Sequence, residues 1–250
     1  MLTFAKSAVV TKTLLAARKA GKNFRVVVAD SRPLFEGKSL ARTLAAAGIP
    51  VSYCMTSGLA HAVKDVTICI LGAHAILGNG ATYSRVGTAL VGMMAKERGC
   101  PVIVCAESIK FTERVAMDAI VGNELAPEEE LLFGAATAQQ PQAQHHSALT
   151  PSDSNVNGVK PGSQQQKGAN NTKSNPPSAD TRSTQDVTNS SNPGAAIAGL
   201  MSDWRDKENL QVLHIMYDVL PPEYVDMVVT EHGCLPPGCA PIVGRMNVGG

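Results

Sequence analysis

Three short stretches of this 250-residue sequence gather side chains able to do chemistry. Asp30-Ser31-Arg32-Pro33 follows one apolar run. LGAHAILGNGATYSRVGTAL (71–90) places His74 where a second run ends and Asn79 in an N-G turn. Glu107-Ser108-Ile109-Lys110 follows a third. Together they offer two carboxylates, the cations Arg32 and Lys110, and an imidazole able to move a proton. Ser84 and Arg85 then open a predicted helix, and exposed N–H groups at a helix start over 84–88 suit an anion such as a sugar phosphate. Plainer roles fit as well: Asp30 with Arg32 and Glu107 with Lys110 as local ion pairs, and His74 as a hydrogen-bonded loop residue or subunit contact. GNGATY lacks the third glycine of a dinucleotide-binding turn, and neither G-x4-G-K-[ST] nor G-x-S-x-G is present.

The elements around these stretches alternate in period. Helical spacing covers 8–20, 36–48, 57–65, 84–99 and 112–121. Buried-strand runs cover 24–30, 66–72 and 101–107, with a short strand over 50–54. This rhythm predicts an α/β fold, a Rossmann-like doubly wound and mostly parallel sheet with helices on both faces. In such a sheet ligands bind beyond the carboxyl ends of the strands, so the three loops are expected to share one rim.

From 134 to 199 the pattern gives way to Gln, Ser, Asn, Thr and Pro, with few large apolar residues. Such a segment buries too little surface to offset its ordering entropy, and disorder is expected, with His145 and His146 a solvated pair. A strand within 209–222 and a helix over 221–233 resume the rhythm, and the tail after 234 reads as turns around one short apolar piece. The segment 134–199 is therefore an insertion into one domain formed by 1–133 and 200–250.

Composition narrows the classes further. A net charge of +1 gives no electrostatic reason to expect nucleic acid as a direct partner. No apolar stretch is long enough to span a membrane. The six cysteines include two C-x4-C pairs, Cys100/Cys105 and Cys234/Cys239, with no C-x2-C. That spacing argues for reduced cytosolic thiols over a metal site, and no cofactor is expected.

VVVADSRPLFEGKSLARTL, LGAHAILGNGATYSRVGTA, PVIVCAESIKFTERVAMDAIVGNEL and MYDVLPPEYVDMVVTEHG together resemble the domain shared by the alpha, beta and delta regulatory subunits of eukaryotic translation initiation factor 2B. Asp30–Pro33, Lys110–Phe111, Glu113–Arg114, Asn123–Leu125, Trp204 and YDVLPPEYVD are most similar to the delta branch. The same domain resembles methylthioribose-1-phosphate and ribose-1,5-bisphosphate isomerases. The isomerases' cysteine and aspartate align with Ala5 and His74, which implies that this chain is not an enzyme. Ser84 and Arg85 align with a substrate-handling Asn-Lys pair, which implies a relic sugar-phosphate pocket containing Arg32, His74, Asn79, Ser84, Arg85 and Lys110. The alternative is a working isomerase, with Cys54 as relocated nucleophile, or a sugar-phosphate sensor.

The resemblance further implies a cytosolic scaffold that joins beta, alpha, gamma and epsilon subunits in an exchange factor for initiation factor 2. That assembly responds to the phosphorylated alpha subunit of initiation factor 2. Within the run LHIMYDVLPPEYVDMVV, Met216, Tyr217, Val219, Leu220, Tyr224, Met227 and Val228 fit a subunit contact, and they fit core packing equally. Family members carry a helical region ahead of this domain, and Met1 falls inside it, as expected of a fragment, a truncated version or a short form.

Overall fold

The computed structural model describes residues 1–134 and 201–248, with side chains to 244. The expected insertion, with His145 and His146, lies outside the described residues. In chain order come β1 (Leu2–Phe4), α1 (Ala8–Lys19), β2 (Val26–Asp30), α2 (Glu36–Ala46), β3 (Val51–Met55), α3 (Leu59–Ala62), β4 (Cys69–Gly72), β5 (Ala75–Ile76), β6 (Thr82–Arg85), α4 (Thr88–Glu97), β7 (Val102–Cys105) and α5 (Glu128–Phe133). After the gap follow β8 (Tyr217–Leu220), β9 (Met227–Thr230), β10 (Gly233–Leu235) and α6 (Ala240–Val248).

Seven strands form the main sheet in the order β10-β9-β7-β4-β1-β2-β3, parallel except for β10. Without β10 this is the Rossmann-type order, doubly wound about β1. The period-2 alternation of the strands builds a core on each face. Leu2, Phe4, Cys69, Leu71, Val102, Val104 and Val228 meet Leu59 of α3, Val91 and Ala95 of α4 and Ala240 and Val243 of α6. Val26, Val28, Ile70 and Cys105 point the other way, toward Val10 and Leu14 of α1 and Leu40 and Leu44 of α2. The continuous apolar runs are thus strands covered on both sides. Strands from before and after the gap share both this sheet and a second, antiparallel one, β5-β6-β8.

Several predicted elements change character. The expected helix over 84–99 begins only at Thr88, because 82–85 pairs as β6 with β8. Gly87 makes the break at φ +107°, where an added Cβ would come within 2.6 Å of the Phe4 ring. Residues 112–121 form no helix. The Asp118 carboxylate accepts from the N–H groups of Ile120 (2.7 Å) and Val121 (2.9 Å), and Thr112 Oγ1 accepts from Arg114 N (3.0 Å). Such local side-chain bonds compete with helix formation. The expected helix over 221–233 is instead a tight turn followed by β9 and β10. Asp226 draws the β-branched run Val228-Val229-Thr230 alongside β7 by accepting from Val102 N at 2.8 Å and pairing with Lys96. The tail expected to be turns ends in α6.

Asp218 joins the small sheet to α4. It is 8% exposed, and one carboxylate oxygen accepts from the N–H groups of Gly87 (2.6 Å) and Ala89 (3.0 Å). Burial pushes its pKa up to about 6 against the pull of those N–H groups. A folded pKa above the unfolded value makes the stabilising contribution complete below about pH 4 and lost as the pH rises through about 6. Wild-type stability, measured by urea unfolding relative to the non-titrating Asp218→Asn variant, should therefore fall by about 2–3 kcal/mol between pH 4 and pH 7.5. A pH-independent difference would contradict it.

Candidate functional site

The chain leaves β1 toward β2 on one side and returns to β4 on the other, so the carboxyl ends of β1 and β4 flank the point where strand order reverses. A cavity of about 210 Å³ opens there. Ala5, Lys6 and Ser7 line it from the loop after β1, Ala73 and His74 from the loop after β4, and Ser84 and Arg85 from the end of β6. Glu36, Lys110 and Tyr217 complete much of the remaining wall.

Close backbone approach forms the floor. Ala5 turns the chain at φ 49° while its N–H donates to Ala29 O at 2.8 Å. Ser7 then caps α1, its hydroxyl accepting from Val10 N at 3.4 Å. Gly72 passes so near that an added Cβ would lie 2.4 Å from both Cβ and Oγ of Ser7. Ser84 Oγ donates to Gly72 O at 3.1 Å, fastening β6 over β4.

The cations are engaged in different ways. Arg85 donates through Nε and a terminal nitrogen to the two oxygens of Glu36, each at 3.2 Å. Lys110 Nζ donates to Ala73 O at 2.9 Å and lies 3.9 Å from Glu107, the local pair anticipated as one reading of that loop. Lys6 Nζ donates to Ser39 Oγ at 2.9 Å. One wall is a ladder of rings: His74 and Tyr217 lie 4.8 Å apart, Tyr217 stacks on Tyr83 at 4.8 Å, and Arg85 and Arg114 cover Tyr217 and Tyr83, each at 5.3 Å. His74 is exposed at the end of this ladder.

Among the expected pocket residues, the fold brings together His74, Ser84, Arg85 and Lys110 with Ala5, and leaves out two. Asn79 is a turn residue, donating to Ala116 O at 3.0 Å and accepting from Ala81 N at 3.3 Å. Arg32 is exposed and borders a smaller recess beside Pro33, Phe35 and His214. Its anticipated partner Asp30 is instead buried, accepting from Ser31 N at 3.0 Å and Tyr53 Oη at 2.8 Å. The helix start expected to take an anion begins at Thr88 and is already served by Asp218. Glu36, Lys6 and Ser7 enter the cavity without having been singled out in the sequence. Glu36 carried one signal, an acidic residue at the start of a helix after a proline turn. Cys54 is not among the residues lining the cavity, and burial pushes its thiol up.

The residues expected either in a subunit contact or in core packing differ in exposure. Tyr217, Leu220 and Val228 are core residues, at 8%, 0% and 1% exposure. Met216 and Val219 pack on the small-sheet cluster and Tyr224 on the main core, leaving Met227 partly exposed. Three of these seven residues are thus buried, three are partly buried, and Met227 is exposed. The main grouping of exposed apolar residues among the described residues lies on 109–125 and the segment near Leu213, where Ile109, Met117, Ile120, Val121, Leu125 and Leu213 are all more than 60% exposed. The two segments adjoin through an antiparallel bridge between Leu125 and Ile215, with Ala126 N donating to His214 O at 3.0 Å. Reading 112–121 as a helix hid this surface.

Comparison with known proteins places these features in a family. The model of the initiation factor 2 subunit family matches residues 1–237. The chain is 33% identical to translation initiation factor 2B subunit delta of Schizosaccharomyces pombe, over 97% of this chain and 40% of that protein. It is 25% identical to the ribose 1,5-bisphosphate isomerase of Thermococcus kodakarensis, over all of this chain and 57% of that protein. A solved structure of the tetrameric beta2-delta2 complex of initiation factor 2B from C. thermophilum matches with a TM-score of 0.50 and 45% identity, over 51% of this chain and 42% of that one. The chain thus spans between about two-fifths and three-fifths of the length of these curated relatives.

The floor of the cavity yields a direct test. Gly72→Ala forces Ser7 aside and should cost about 2–3 kcal/mol in chemical denaturation, whereas Ser7→Ala loses only a helix cap, about 1 kcal/mol. Equal losses in the two variants would contradict the close approach.

Proposed function

The chain belongs to the initiation factor 2 subunit family, and on that footing we propose that it is a non-catalytic regulatory and scaffold subunit of the exchange factor for initiation factor 2. In this role it works in the cytosol, joins beta, alpha, gamma and epsilon subunits, and helps the assembly respond to phosphorylated initiation factor 2. The observation that carries the proposal is the exposed apolar surface of 109–125 and Leu213. Polar anchors hold this surface outward. Arg114 donates to Gly122 O at 3.1 Å, and Asn123 Nδ2 donates to the carbonyls of Ala119 and Tyr217. A grouped apolar face on an anchored frame suits a permanent protein contact. The relative named as a beta2-delta2 complex supports beta as the partner.

The cavity supports the non-catalytic half of this reading. Its wall carries the methyl group of Ala5 and the imidazole of His74, tilted against Tyr217, and we align these two residues with the isomerases' cysteine and aspartate by resemblance. A methyl group supplies neither nucleophile nor acid. The 25% identity to a ribose 1,5-bisphosphate isomerase keeps a second reading, isomerisation of a phosphorylated pentose, open to assay. Ketose formation from ribose 1,5-bisphosphate or methylthioribose 1-phosphate by the purified chain would establish that reading in place of ours.

The contact surface is tested by the double variant Met117→Asp/Ile120→Asp. Because both side chains are at least 77% exposed, the isolated chain should keep its thermal midpoint to within about 2 °C. Association with a beta-type subunit, measured by co-purification and analytical ultracentrifugation, should weaken at least about tenfold, as expected for residues in an interface centre. Unchanged association would remove this surface from the assembly.

A further inference from the structure

Glu36 is the one carboxylate among the residues lining the switch-point cavity, where it stands against Lys6, Arg85 and Lys110. It starts α2, a position where the helix dipole favours its negative charge. Both its oxygens face the fork of Arg85 at 3.2 Å, the arrangement by which a guanidinium takes either a carboxylate or a phosphate. Lys6 and Lys110 donate hydrogen bonds to neutral oxygens, those of Ser39 and Ala73, and Lys110 also lies 3.9 Å from Glu107, which is not among the residues lining the cavity. The Glu36–Arg85 pair also borders the second recess, so it divides the two spaces. Each partner is about one-third exposed, within reach of a competing anion from solvent.

We propose that Glu36 is a built-in counter-anion that occupies the oxyanion-binding fork of Arg85 and so keeps phosphorylated ligands out of the cavity. The cavity retains the cations of a phosphate site while the chain supplies its own anion in place of a ligand. Removing the carboxylate leaves three cations around a space of about 210 Å³, with Glu107 beside Lys110 and the fork of Arg85 open. This inference rests on the non-catalytic reading of the cavity, but subunit association does not depend on it, so its failure would leave that association standing.

The test is calorimetric titration of the full chain with inorganic phosphate at low ionic strength, for wild type, Glu36→Gln, Glu36→Ala and Glu36→Gln/Arg85→Ala. Circular dichroism confirms folding, and the alanine variant replaces the glutamine variant if the latter is unstable. We expect Glu36→Gln to bind phosphate at least tenfold more tightly than wild type, and the added loss of Arg85 to abolish the gain. Wild-type binding as tight as that of the variants, or a gain that survives without Arg85, would overturn the proposal.

Discussion

Asp218 holds together parts of the chain more than a hundred residues apart. It lies on β8, and its buried carboxylate accepts the backbone N–H groups that open α4, fixing the small sheet against the helix that covers the main one. Its second oxygen, Oδ1, is buried without a hydrogen-bond partner among the described residues, and burial raises the pKa of the carboxyl group to about 6. An unsatisfied buried oxygen is costly, so the two N–H bonds and the register they enforce must outweigh that penalty. The neighbouring residues inherit their positions from it. Tyr217, one residue earlier, pairs across the strands with Arg85, so the ring wall and the forked cation of the cavity are set by the same register.

The cavity lies where doubly wound sheets place ligands, because strands diverging from β1 leave the carboxyl ends of β1 and β4 without a crossing loop between them. Position alone does not assign chemistry. The family relatives include both an initiation factor subunit and an isomerase, and a shared fold leaves function to the side chains at the site. Here those side chains largely satisfy one another: Arg85 with Glu36, Lys110 with Ala73 O, Lys6 with Ser39, and His74 with its ring neighbours. These contacts hold the loops around the cavity in place.

The segment 109–125 shows the opposite balance. Its backbone is tied down by Arg114, Asn123 and the Asp118 turn, while Ile109, Met117, Ile120 and Val121 stay in solvent. Folding this stretch as an amphipathic helix would bury one face, but the local side-chain bonds hold an irregular path that buries little. Apolar area left in water carries a free-energy cost that burial against another surface would recover.

The parallel core was legible from the sequence, because strands buried on both faces must be apolar throughout and the helices between them must repeat near 3.6. Val26–Asp30, Cys69–Gly72 and Val102–Cys105 all lie within the predicted runs, and the loops after them contribute His74 and Lys110 to one cavity. Tertiary structure decided the rest. Residues 82–85 became a strand because β5 and β8, the latter contributed from beyond residue 200, were there to pair with them. Residues 227–230 became a strand because Asp226 anchored them beside β7. Arg32 and Asn79 sit in turns that direct them away from the cavity, and Glu36 enters it from a helix start far off in sequence. Local periodicity records which residues a chain can bury, whereas partners distant in sequence determine the strand pairing and the facing of charges, and no window of sequence contains them.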